Sequence, residues 1–105
     1  MHMDRISTLQ QLLEKTPDDS FLQHALALEF VKLNNDHQAR IAFETLLAKD
    51  PDYVGSYYHL GKLLERAGET DMAISVYENG MLKAKEQNER HAYNELKAAN
   101  DDLTT

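Results

Sequence analysis

Two prolines in nearly the same setting, KTPDDS around Pro17 and KDPDYV around Pro51, lie 34 residues apart, and the offset recurs along the chain. Adding 34 carries Leu26 to Leu60, Ala27 to Gly61, Phe30 to Leu64, Ala39 to Ala73 and Phe43 to Tyr77, with size and chemistry kept at each step. A repeat of this length is one supersecondary unit that cannot bury its apolar face alone and must pack against a neighbour. That requirement constrains the fold more tightly than any other feature of the sequence.

Within each unit the spacing is helical. Leu26, Ala27 and Phe30, and likewise Leu60, Gly61 and Leu64, follow the i, i+1, i+4 pattern that gathers side chains on one face. Asn34 and Asn35 in the first unit and Gly68 in the second tolerate the left-handed backbone that ends a helix, and Asp36 and Thr70 are then the expected N-caps of a second helix. Each unit is a helical hairpin, and no strand-type alternation is sustained anywhere. Gly61 falls inside a helix, where glycine costs about 1 kcal/mol relative to alanine. The sequence accounts for it, with Ala73, by close approach of the two helices of a hairpin, since a larger side chain would force them apart.

A 34-residue helical hairpin with small residues at these places resembles the tetratricopeptide repeat. The family pattern runs aromatic, Leu-Gly, large, Ala, aromatic, Ala, Pro. The second unit matches it with Tyr57, Leu60, Gly61, Leu64, Ala73, Tyr77 and Gly80, and has Lys85 in place of the proline. The first matches with Leu26, Ala27, Phe30, Ala39, Phe43 and Pro51, and departs at Gln23 and Leu46. The resemblance implies an all-α fold, a solenoid of stacked hairpins, with repeats at 18–51 and 52–85 in a single domain spanning 1–105. Upstream, residues 4–16 place Ile6, Leu9, Leu12 and Leu13 on one face, as a second repeat helix without its first, and Arg5 stands at the small position. Downstream, 88–104 carries Ala92, Leu96, Ala99 and Leu103 as a stripe. Asn94 and Glu95 stand where Leu-Gly would be, so this segment reads as a capping helix that breaks from the repeat at Asn88.

Composition narrows the function. Eighteen acidic against 11 basic residues leave a formal net charge of -7, which repels a nucleic-acid backbone. No apolar run approaches the ~20 residues of a membrane span and no signal peptide opens the chain, so a cytoplasmic protein without nucleic-acid or membrane partners is expected. There is no cysteine, hence no disulfide and no thiolate chemistry. His2, His24, His37, His59 and His91 show neither HExxH nor any i, i+4 pair, and Ser20, Ser56 and Ser75 lack an activating context. No metal, cofactor or catalytic residue is expected, and the chain is not read as an enzyme.

The resemblance also implies a binding groove lined by the first helices of successive repeats, which takes a peptide segment or helix of another protein. Carried over residue by residue, the groove positions are Phe21, His24, Leu28, Val31 and Lys32, then Tyr58, Lys62, Glu65 and Arg66. The segment 19–33 is apolar on two sides, with Leu22, Leu26, Phe30 and Leu33 on one and Phe21, Leu28 and Val31 nearly opposite. The second set is either covered by a neighbouring helix or exposed for a partner. Lys32, Lys62 and Arg66 form a basic strip that either receives acidic groups of a ligand or pairs with Glu65, Glu69 and other nearby acids. Family members that hold the carboxylate tails of chaperones use Lys and Asn where His24 and Leu28 stand here, so that clamp is broken. The alternative to a groove is self-association through the same surface or an exchanged end helix, giving a homodimer.

Overall fold

A computed structural model of the chain describes residues 4–105. It contains six α-helices: α1 (Arg5–Lys15), α2 (Ser20–Lys32), α3 (Asp36–Lys49), α4 (Gly55–Arg66), α5 (Thr70–Glu86) and α6 (Arg90–Thr104). No strand occurs among the described residues. The all-α hairpin architecture expected from the repeat is the one observed. The helices fall into two compact units, α1 to α3 up to Asp50 and α4 to α6 from Pro51.

The turns inside the hairpins show how the 34-residue period is written into backbone chemistry. Asn34 at φ 61 and Gly68 at φ 78 occupy the left-handed region one repeat apart, and Asn88 at φ 58 does so between α5 and α6. At each turn the next residue's amide reaches back five positions, Asn35 N to Phe30 O at 2.8 Å, Glu69 N to Leu64 O at 2.9 Å and Glu89 N to Ala84 O at 2.8 Å. The left-handed residue itself bonds to Val31 O, Glu65 O and Lys85 O in turn. These paired bonds are Schellman closures, which satisfy carbonyls that a helix end leaves open. Because the closure takes only two residues, the following helix begins one position earlier than the sequence suggested. The N-caps are Asn35 and Glu69, not Asp36 and Thr70, which are the first helical residues. The Asn35 side chain accepts from Gln38 N at 3.2 Å, whereas Glu69 makes no such bond.

In the first unit α2 packs against both α1 and α3. Ala27, Ala39, Phe43 and Leu46 are wholly buried, so α2 and α3 meet at the small positions, and Leu46, a departure from the family pattern, is core. Leu9 is the buried anchor of α1, flanked by half-buried Ile6 and Leu13, but Leu12 is 43% exposed. The expected four-residue stripe is therefore three. At 100° per residue Leu12 lies on the flank of Leu9 opposite Ile6 and Leu13, and only the latter flank faces α2.

In the second unit α5 packs against both α4 and α6. A β-carbon at Gly61 would fall onto the Tyr77 ring, whose Cδ1, Cε1 and Cζ all lie within 2.7 Å of it. One at Gly80 would lie 2.6 Å from Tyr57 Cβ and 3.0 Å from Leu96 Cδ1. The glycine within helix α4 is thus a contact requirement, and the group that imposes it is the Tyr77 ring. Helix α6 buries Leu96, Ala99 and Asn100, with Ala92 and Leu103 half-buried, as the downstream stripe anticipated.

The frame bonds are repeated as faithfully as the turns. Lys49 Nζ lies 3.1 Å from Asp18 Oδ1, and Lys83 Nζ 3.4 Å from Asp52 Oδ1, each clamping the end of a second helix to the segment before its first. Tyr57 donates its hydroxyl to Pro51 O at 2.6 Å. Gln23, one repeat earlier and seemingly a departure from the aromatic, donates its amide to Pro17 O at 3.0 Å. The polar function of the position survives although the ring does not.

Gly61→Ala is expected to destabilise the chain by about 1 to 3 kcal/mol through overpacking, and to cost much less when Tyr77 is also replaced by Leu. Gly68→Ala, where nothing lies within 4 Å, should cost about 1 to 2 kcal/mol from left-handed backbone alone and be indifferent to Tyr77. Urea midpoints of the single and double variants measure the difference; equal coupling of both glycines to Tyr77 would contradict this account.

Candidate functional site

The first helices present two chemically different faces. On α2, Phe21 is 68% exposed. The expected choice between a covered and an open aromatic is decided for Phe21 in favour of exposure, while Leu28 and Val31 are half-buried. His24 stands edge-on to the Phe43 ring with centroids 5.7 Å apart, so its imidazole also serves packing. Lys32 is exposed and makes no ion pair among the described residues. The opposite set divides as well, since Leu33 is the C-cap of α2 and 63% exposed.

On α4 the equivalent positions are polar and already engaged. Tyr58 stands at the place of His24 and its ring lies 6.5 Å from that of Tyr77, the counterpart of Phe43. Lys62 Nζ sits 5.5 Å from the centre of the Tyr58 ring and 3.4 Å from Glu65 Oε2. Glu65 also accepts the hydroxyl of Tyr77. Tyr58, Lys62, Glu65 and Tyr77 are thus one connected cluster on the α4–α5 hairpin. Burial pushes the Tyr77 phenol well up, and the hydrogen bond and negative charge of Glu65 push it in the same direction, so it remains a protonated donor.

The basic strip is consequently not three equivalent cations. Lys62 is held by Glu65, and Arg66, exposed on the last turn, has interactions of its own. An acidic ligand at Lys62 would have to displace or tolerate Glu65. Tyr77 was not among the residues singled out for a site, and the signal that could have found it is a paired change between repeats. Val31 and Phe43 become Glu65 and Tyr77 together, adding an acceptor and a donor in one step.

Among the described residues no group of three His, Asp or Glu side chains is placed to hold a metal ion; His2 lies outside them. No helix of the described residues is long and apolar enough to cross a membrane. His59, beside Tyr58 with ring centroids 5.7 Å apart, is disfavoured as a cation by burial, which Glu95 partly offsets.

A tetratricopeptide repeat family profile matches residues 42–75, a stretch running from within α3 across α4 into α5. The crystal structure of a tetratricopeptide repeat domain protein from Salinibacter ruber is 44% identical, covers 82% of this chain and 97% of its own, and superposes with a TM-score of 0.80. A solution NMR structure of a tetratricopeptide repeat domain protein from the same organism gives 45% identity, coverage of 83% and 88%, and a TM-score of 0.78. A protein from Bordetella parapertussis shares the fold at 21% identity, with 98% and 90% covered and a TM-score of 0.83. Comparison with curated proteins gives no match. The chain belongs to the tetratricopeptide repeat family, whose members generally mediate protein–protein interaction and are generally noncatalytic.

Tyr77→Phe should lower stability by about 1.5 to 3 kcal/mol, the scale of a hydrogen bond to a charged group, because half-buried Glu65 then keeps only its ion pair with Lys62. Adding Glu65→Val, which copies the Val31–Phe43 pairing of the first unit, should recover most of the loss. Denaturant titration of the two single variants and the double variant closes the cycle, and strict additivity would deny the coupling. For His59 the sign follows from burial: the folded state holds the proton less well than the unfolded chain, whose pKa is near 6.5. Stability contributed by the neutral ring is therefore present above that value and lost as pH falls through the unfolded and then the folded pKa. Urea midpoints should fall more between neutral and mildly acidic pH for the wild type than for His59→Gln; parallel curves would remove His59 from the pH response.

Proposed function

We propose that this chain is a noncatalytic interaction module that binds a peptide segment or helix of another protein through the exposed sides of its first helices. In this reading α2 supplies apolar contact through Phe21, Leu28 and Val31, edged by His24 and Lys32. Helix α4 supplies polar contact through Tyr58, Lys62, Glu65 and Arg66. The 18–51 and 52–85 repeats are the recognising elements, with α1 packed on α2 and α6 on α5.

The observation that carries the proposal is Phe21. Phe21 is 68% exposed on the same side of α2 as half-buried Leu28 and Val31, and contiguous apolar surface of this kind is what marks an interaction site. The pre-paired Lys62 argues for a ligand that meets α4 through mixed polar contacts, not through a string of carboxylates. This fits the loss of the chaperone-tail clamp at His24 and Leu28.

The test is affinity capture from native extract with the wild type and Phe21→Glu, a change at a site exposed enough to leave folding intact. Proteins held through α2 should be lost from the variant and kept by an Asn94→Lys control on α6. If every captured protein is retained equally by Phe21→Glu, the α2 face is not used. Light scattering of the same two chains separates the self-association reading: a dimer abolished by Phe21→Glu would make this surface a homodimer contact.

A further inference from the structure

The turn between α5 and α6 is closed by the same bonds as the turns inside the two repeats, but its large and small residues have changed places. Phe30 O, Leu64 O and Ala84 O accept the closing amides of Asn35, Glu69 and Glu89, and Ala39 N, Ala73 N and Tyr93 N donate in turn to the carbonyls of those three residues. The hydrogen bonds therefore put Ala84 in register with Phe30 and Leu64, and Tyr93 in register with Ala39 and Ala73. At the first two turns a bulky apolar residue is matched with a wholly buried alanine. At the third the wholly buried alanine is on the first helix, and the ring on the second is only half-buried. The methyl group of Ala84 is far smaller than the side chain it replaces, and Tyr93 does not close the space. A pocket of about 330 Å³ remains, lined by Ala84, Lys85, Asn88, Glu89, Arg90 and Tyr93.

The rim is charged in a way the other two turns are not. Lys85 and Arg90 stand where the first turn has Val31 and Asp36 and the second has Glu65 and Thr70. Neither makes an ion pair among the described residues, although the chain as a whole is strongly acidic. Glu89, on the same rim, makes no side-chain cap bond to α6 and lowers the charge around the mouth to one net positive. A single carboxylate arriving there meets two cations that no acid of the described residues holds, whereas a run of acids meets Glu89 as well. Beneath the rim, Ala84 and the Tyr93 ring supply an apolar floor and wall.

We propose that the pocket at the α5–α6 turn takes an apolar side chain of another polypeptide, with an adjacent aspartate or glutamate of the same segment paired to Lys85 and Arg90. The occupant is a polypeptide and not a free small acid because the mouth is open: Lys85, Asn88, Glu89 and Arg90 are all exposed. Sites for small ligands enclose most of the ligand surface and run from about 300 to 1,000 Å³. A pocket at the small end of that range, walled mainly at its base, grips one side chain and leaves the rest of the affinity to contacts made outside it. None of the lining residues belongs to the first-helix set assigned to recognition above, so this site stands or falls separately from that reading.

The probe is the capped peptide acetyl-Gly-Ser-Phe-Glu-Ser-Gly-amide, titrated into the isotope-labelled full chain and followed by amide chemical shifts. Saturable shifts at residues 84–93 with a dissociation constant of about 1 mM are expected. Lys85→Glu and Arg90→Glu should each weaken binding about threefold to fivefold, the scale of an exposed ion pair, and a peptide with glutamine for its glutamate should lose as much. The pair Ala84→Leu with Tyr93→Ala copies Leu64 and Ala73 of the second repeat, so it should fill the pocket, keep a dispersed spectrum and lose the shifts. The two rim variants, at exposed positions, keep the test decisive if that pair does not fold. Phe21→Glu should leave the titration unchanged, which separates failure here from failure of the first-helix reading. Absence of shifts up to about 10 mM peptide, shifts that survive in the folded pocket-filling pair, or affinity indifferent to both rim variants overturns the proposal. Equally tight binding of 3-phenylpropionate overturns it too, because the occupant would be a free acid, as would a dimer in light scattering that Lys85→Glu dissociates, because the occupant would be a second copy.

Discussion

Close approach of two helices at one small residue is the constraint from which the rest of each hairpin follows. In the first unit Ala27 on α2 and Phe43 on α3 are both wholly buried. In the second the pair is Gly61 and Tyr77, and the ring comes so near the α4 backbone that even a methyl group has no room. Helices that meet this tightly leave little freedom in the turn joining them. The chain then reverses through a two-residue Schellman closure at the same place in each repeat, with an asparagine or glycine holding the left-handed backbone. The lysine–aspartate clamps at the other end of each hairpin are consistent with the same geometry, since they link elements whose spacing the helix contact has already set.

A shared frame does not produce a shared surface. Where the first hairpin has Ala27, Val31 and Phe43, the second has Gly61, Glu65 and Tyr77, and the three differences belong together. A phenol that reaches a carboxylate one turn beyond the contact point brings its ring over the helix backbone, and glycine is the residue that permits this. The result is an apolar α2 face beside an exposed aromatic and an α4 face whose charges are mutually satisfied. Half-buried polar clusters of this kind, when their members satisfy one another, rigidify the structure and specify one packing.

The repeat made much of the architecture legible. Proline spacing, the i, i+1, i+4 pattern and the turn residues located the hairpins, and the family resemblance gave them a fold that the structure shows. Details of one or two residues were less accessible. Asp36 and Thr70 looked like caps because their side chains suit the role, yet a Schellman turn hands the cap to the preceding residue whatever its side chain. Leu12 looked like core because a four-residue aliphatic stripe is apolar as a whole, but a single neighbour covers only one flank of a helix. Among the groove positions, sequence could place Lys62 beside acids without showing that Glu65 is the one it meets, or that Glu65 is shared with Tyr77 from the next helix.

What the sequence determined alone is the length of the structural unit, its helical character, the places where helices must approach and the places where they must end. These depend on residue size, apolar period and backbone tolerance, which are local and repeat along the chain. Only the tertiary structure decided which side of α1 is covered, which glycine contact is the severe one and which charges on α4 are spent on each other. Those outcomes depend on distances between side chains from different helices, and no local pattern encodes them until the helices have packed.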